Sequence, residues 1–211
     1  DCLPHKSFFN YCEQMLDKHK NNKKILLISG NNFQKNNWRG DGDYYFSKYP
    51  HIWGWAAWKR TFNYYDVSIK KWPKWKKTNK NKKVLSHMFV KEKNYWNKIF
   101  ESTYKNKIDT WDYQLMLGGW MNDQFAVTPN KNLVSHIGMG PRATHSHYPS
   151  EKKGIKLIKI SKKINHPNDT SINHEADRFC WLRVPYQGIF FYFPFNIISS
   201  TWIFLRKFFN F

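Results

Sequence analysis

A helix-to-strand step near the start of the chain constrains its fold more than any other feature. Residues 5–19 carry Phe8, Phe9, Cys12, Met15 and Leu16 at helical spacing, so that segment has one apolar face. The run Ile25-Leu26-Leu27-Ile28 follows directly, reads as an apolar strand over residues 24–29, and ends in the turn Ser29-Gly30-Asn31. A helix feeding a strand in this way points to an α/β fold. At 211 residues the chain can bury a substantial core and fits one domain, or most of one. Hydrophobic residues at 41% and aromatic residues at 19% exclude a disordered chain.

Beyond that step, residues 31–50 are polar, rich in Asn, Gly and Asp, and read as a long loop. A loop of that length inside a compact domain is functional or mobile. The aromatic cluster of residues 50–60 contains Trp53-Gly54-Trp55-Ala56, and residues 59–66 begin a helix. Residues 70–83 form a lysine-rich loop, and residues 84–105 are mostly helical. Trp111, Leu115, Leu117 and Trp120 mark a second buried helix, and Phe125-Ala126-Val127-Thr128 a strand that ends at Pro129. Residues 130–142 are turn-rich, and residues 155–160 form a strand within an otherwise weakly patterned basic stretch. These shifts divide the chain into residues 1–150, a basic extension at 151–187 and an aromatic tail at 188–211. The tail is largely apolar but interrupted by Pro194, Asn196, Ser199, Ser200 and Thr201. Its readings are a membrane-surface segment and a buried C-terminal helix.

The net charge of +20 raises the question of nucleic acid or an anionic membrane surface as partner. Lysines interleaved with rings, as in Lys71-Trp72-Pro73-Lys74-Trp75-Lys76, suit base stacking. Asn accompanies Lys repeatedly, as in Asn79-Lys80-Asn81-Lys82-Lys83, which favours compositional drift over nucleic-acid recognition. Cys2, Cys12 and Cys180 have no metal-ligand spacing and leave one unpaired under any pairing, which suits a reducing cytoplasm. No signal-peptide pattern opens the sequence.

Two carboxylates and a histidine are the candidates for chemistry. Asp112 falls near a predicted helix start, where the dipole favours a charged carboxylate suited to general-base work. The alternative is an N-cap at Asp109, with Asp112 simply part of a favourable first turn. His145 and His147 follow the turn Gly138-Met139-Gly140, and either is a metal ligand or an exposed loop residue. A carboxylate at Asp1 suits Mg or Mn.

The order of these motifs resembles the GT-A nucleotide-sugar glycosyltransferases. Asp1-Cys2-Leu3-Pro4 looks like the end of a metal motif of the type Glu-Asp-Asp-Cys-x-Pro, and Trp53-Gly54-Trp55-Ala56 looks like the donor loop. Thr110-Trp111-Asp112-Tyr113-Gln114-Leu115 is similar to the Thr-Glu-Asp-Tyr-Asp-Leu segment of family 2 enzymes, and His145 matches their late histidine. A bacterial family-2-like group, sometimes labelled hemolytic-protein-like, shares the runs at residues 43–58 and 132–145 and the Ile-Asp-Thr-Trp-Asp-Tyr-Gln segment. The resemblance covers most of residues 1–148, with His166-Pro167 matching more loosely.

The resemblance implies a mixed sheet flanked by helices and a chain that is the C-terminal portion of the catalytic domain. It implies a sugar passed from a nucleotide-diphosphate donor, with uridine as the base, to a hydroxyl on a glycan or lipid-linked acceptor, with inversion. Asp112 is the implied base, Asp1 and His145 the ligands of Mg or Mn, and Trp53, Gly54, Trp55, Ser29 and Gly30 the donor contacts. The implied setting is cell-surface glycan (lipopolysaccharide or capsule) assembly on the cytoplasmic face of the membrane. The sequence departs from the family in three places. The nucleotide-binding half is absent, Trp111 replaces the Glu that often precedes the base, and the Gln-x-x-Arg-Trp signature of processive synthases is missing. The last departure favours single-sugar transfer. The competing expectations are a basic binding module for nucleic acid or anionic lipid, and a transferase remnant without activity.

Overall fold

The computed structural model describes residues 1–138 and 155–183. The first half of the chain forms β1 (Cys2–Pro4), α1 (Ser7–Lys18), β2 (Ile25–Ser29), β3 (Tyr44–Ser47), β4 (Trp55–Ala56) and a 3₁₀ helix (Lys59–Tyr64). Four helices follow, α2 (Trp72–Trp75), α3 (Asn79–Val84), α4 (Val90–Tyr104) and α5 (Asp112–Met121). After them come β5 (Phe125–Pro129), β6 (Val134–His136) and α6 (His174–Arg183). The fold is mixed α/β. A four-stranded sheet in the order β3-β5-β2-β4 pairs β2 with β5 in parallel and the outer strands antiparallel, while β1 and β6 form a separate two-stranded ribbon.

All five residues of β2 are buried, which explains why the sequence shows a continuous apolar run in place of alternation. Ile25 and Ile28 join Phe8, Tyr11 and Met15 of α1 in one core, whereas Leu26 and Leu27 pack with Leu115 of α5 in another. A shift in register against β5 between Ile25 and Leu27 breaks the two-residue period and permits that division. Burying each of these side chains contributes about 1.5–3 kcal/mol. Gly119 lets α5 approach the sheet, since a Cβ there would lie 2.6 Å from Leu26 Cδ2.

A third core is aromatic and helical. Trp72, Trp96, Phe100 and Trp120 are each almost wholly buried, and Trp96 and Phe100 meet Trp120 edge-on at 5.5 and 5.6 Å between ring centroids. The stretch at 70–83 is therefore not a loop: Trp72 and Trp75 turn inward on α2, and Thr78 caps α3 by accepting from Asn81 N at 3.2 Å. Those two rings are core residues and present no face to a nucleic-acid base.

The polar segment 31–50 also departs from the expectation of a loop, because it contains β3 and an internal amide network. Asn32 N and Arg39 N donate to the side chains of Asn132 and Asn130, each at 2.9 Å, and Gln34 accepts from Arg39 Nε at 2.7 Å. Backbone groups that a surface loop would leave to water are satisfied inside the protein. Residues 155–160 form no strand. Ile158 N donates to Asn132 O and Ile160 N to Ser7 Oγ, so the segment crosses two elements without a ladder, although Ile160 still enters the α1 core. The helix α6 was not expected from the basic stretch. Asn173 caps it by accepting from Ala176 N at 2.8 Å, and the preceding Ile172 bridges Phe46 on the outer edge of β3. No helix among the described residues is long and apolar enough to cross a membrane. The tail 188–211 lies outside the described residues.

Candidate functional site

Most of the residues singled out from sequence converge on the end of β2 next to β4. Ser29 is the register partner of Trp55, and Gly30 N donates to Gly54 O at 2.8 Å. Gly54 sits at φ +67, a left-handed conformation that costs an L residue with a side chain. A Cβ at Gly54 would also lie 2.6 Å from Val134 Cγ2, so backbone freedom and close packing both require glycine there. Ser29 is fully buried and its hydroxyl accepts from His51 N at 3.1 Å, so its side chain holds the loop in place. Asn31 does the same for Trp53, accepting from its backbone N–H at 3.2 Å.

The two tryptophans of this loop lead to different flanks. Trp55 stacks on Trp111 with ring centroids 5.7 Å apart and planes 26° from parallel. Trp111 is the N-cap of α5, makes no capping hydrogen bond with its side chain, and is 43% exposed. The buried-helix pattern had placed it inward, but it stands just before the helix and points out. Asp112, the next residue, is half-buried in the first turn, and the hydroxyl of Thr110 donates to its Oδ1. Asp109 is not the cap of this helix.

Trp53 leads the other way, to His136, with centroids 4.6 Å apart. His136 is paired with Cys2 in the β1–β6 ribbon, so the same ribbon carries Asp1, whose backbone carbonyl accepts from Ile137 N at 2.8 Å. The Asp1 carboxylate lies over Gly138, in the space a Cβ would fill. His136 Nδ1 is buried and has no hydrogen-bond partner among the described residues, and burial, with the Asp1 amino group, lowers its affinity for a proton. His145 lies outside the described residues, as does His147. Among the described residues no three His, Cys, Asp or Glu side chains are grouped to hold a metal ion.

The structure also contains a titratable cluster that sequence reasoning missed. Asp177 of α6 is buried and accepts from Ser47 Oγ at 2.6 Å and Lys48 N at 3.1 Å. Burial pushes its carboxyl up to about 7. Glu92, at the third position of α4, accepts from Phe89 N at 3.1 Å and from the Tyr49 hydroxyl, and burial raises its carboxyl as well. Burial lowers the Lys48 ammonium, whose Nζ donates to Val84 O. His87 and His174 stack at 3.9 Å beside the cavity these groups line. That cavity is about 20 Å³, room for one water and too small for a nucleotide sugar. None of these groups carried a local sequence signal, since Phe89 has no side-chain acceptor with which to make a capping box with Glu92.

No protein-family model matches the chain, and no curated protein or solved structure is significantly similar to it.

Proposed function

We propose that the chain is the C-terminal portion of a GT-A-type glycosyltransferase, moving a sugar from a uridine-diphosphate donor to a hydroxyl of a glycan or lipid-linked acceptor. The observation that carries this reading is the meeting of Ser29-Gly30 with Gly54-Trp55, flanked by Asp112 on one side and Asp1 on the other. An α/β sheet presents ligands to the crevice beyond its strand ends, and β2 ends at this place.

In this mechanism Asp112 takes the proton from the acceptor hydroxyl as its oxygen attacks the anomeric carbon. The bond to the donor diphosphate breaks on the opposite face, which inverts the anomeric configuration. Thr110 orients the Asp112 carboxylate through its hydroxyl. Gly54 sets the course of the loop, with its missing Cβ taken up by Val134, and Trp53 walls the donor side. A Mg or Mn ion held by Asp1 and His145 would neutralise the departing diphosphate. Assembly of cell-surface glycan on the cytoplasmic membrane face is the setting this chemistry suits.

Thermal unfolding with uridine diphosphate and Mn tests the reading. The transferase is stabilised by the two together, through the diphosphate and Mn rather than the uracil, in the native chain and in Asp112→Asn alike, because the base does not hold the donor. Indifference to nucleotide and Mn, with steep salt-dependent retention of RNA or anionic vesicles, would favour the basic binding module in its place.

A further inference from the structure

We propose that Trp111, Trp55 and Phe62 form a stacking platform for a pyranose ring of the acceptor, set against the Asp112 carboxylate; the acceptor role rests on the transferase reading above. Trp55 is the centre, stacked on Trp111 and 6.3 Å from Phe62 at 48° between planes. Its body is seated on Leu26, Leu27 and Leu115, which fixes the platform to the sheet and to α5. The outer two rings are open, Trp111 at 43% and Phe62 at 56% exposure, in a protein whose Trp72, Trp96 and Trp120 are essentially sealed. Trp111 also occupies a helix N-cap without bonding to the helix, where Ser, Thr, Asp or Asn would stabilise the first turn. The ring is thus not explained by local helix stability.

The charge around it selects the occupant. Asp112 follows Trp111 directly and is half-buried, while Lys59 and Arg60 lie on the element that carries Phe62, so the carboxylate is at the Trp111 end of the platform. A phosphate stacked at that end would meet the Asp112 carboxylate and is disfavoured there. A neutral sugar has the right pair of surfaces. Its C–H face carries partial positive charge for the electron-rich ring faces, and its hydroxyl edge reaches a carboxylate acceptor. Stacking on Trp111 would hold a hydroxyl next to Asp112, so the platform sets the acceptor's position as well as its affinity.

The test is saturation-transfer NMR on the full chain with methyl β-D-glucopyranoside, which presents three axial C–H groups on one face. The expected result is saturation of those ring protons, weakened roughly tenfold in Trp111→Ala and in Phe62→Ala but retained in Trp111→Tyr. Absence of transfer to the native chain, or transfer unchanged in both alanine variants, overturns the platform. Both side chains are exposed, so a circular dichroism melt identical to the native chain excludes unfolding as the cause. Turnover of uridine-diphosphate sugar separates the two ideas. If turnover proceeds with the acceptor KM unmoved in Trp111→Ala, the platform fails and the transferase reading stands. If the glycoside binds as expected but neither turnover nor nucleotide binding is found, the platform stands as a glycan-binding surface and the transferase reading fails.

Discussion

Asp112 and Asp177 are both helix-borne carboxylates, and their surroundings are opposite. Asp177 is sealed between α6 and β3, with its oxygens committed to Ser47 and Lys48. Asp112 is half-exposed beside an open indole and has the local Thr110 hydroxyl as its side-chain partner. A carboxylate fully satisfied by its own protein ties elements together; one left accessible at a helix start can accept from a substrate. The perturbed groups Asp177, Glu92 and Lys48 would on proton affinity alone look like the active site. Their single-water cavity argues that they latch α6 and α4 onto β3.

The largest effect that would sharpen this contrast is on turnover. Asp112→Asn is expected to lower sugar transfer by about 10²–10⁴-fold while leaving the melting temperature and nucleotide binding unchanged. Full activity in that variant would remove Asp112 from the mechanism. Asp177→Ala is expected to do the reverse, costing about 1–3 kcal/mol of stability in denaturant melts by stranding two donors, with turnover per folded molecule preserved. Gly54→Ala belongs to both regions. It is expected to cost about 1–2 kcal/mol for the left-handed backbone alone, and more from the collision with Val134. Unlike Asp177→Ala, it also weakens nucleotide binding in a titration followed by tryptophan fluorescence.

The smallest effect is a pH signature along β3. Burial pushes the folded carboxyl of Asp177 up to about 7 against an ordinary 3.8, so between those values the folded state binds the extra proton. Its contribution is complete below the ordinary value and is lost as pH rises through about 7. Hydrogen exchange at α6, corrected for intrinsic rates, is expected to show protection falling over that range, and Asp177→Asn to flatten the profile. At the other end of β3, His19 bonds the Tyr44 hydroxyl at 3.2 Å, and burial lowers its imidazole to about 4. Here the unfolded state binds the extra proton between about 4 and 6.5, so protection of α1 is expected to fall as pH drops. Equal slopes at α1 and α6 would break the assignment of these groups.

The legible parts of the fold were those with an unambiguous period. The α1–β2 step, β5 and the span of α5 follow from apolar spacing that the structure keeps. β3 was hidden because Tyr44-Tyr45-Phe46-Ser47 is buried throughout, shows no alternation, and sits among Asp and Gly residues that signal a loop. α2 and α3 were hidden by lysines, whose charge masked the two inward tryptophans. At the candidate site, Gly54 and Asp112 were visible through motif order, whereas the exposure of Trp111 was not, since its spacing to Leu115 imitates a buried stripe. The link from Asp177 to Ser47 spans 130 residues of sequence, and no local pattern announces a contact of that range.

Paramagnetic broadening of amide signals by Mn in the presence of uridine diphosphate tests the central claim most directly, because it reads both regions in one experiment. The account predicts broadening at Cys2, Gly54 and His136, with Ser47, Glu92 and Asp177 unaffected. Broadening centred on Lys48 and His174, or no localised broadening at all, would contradict it.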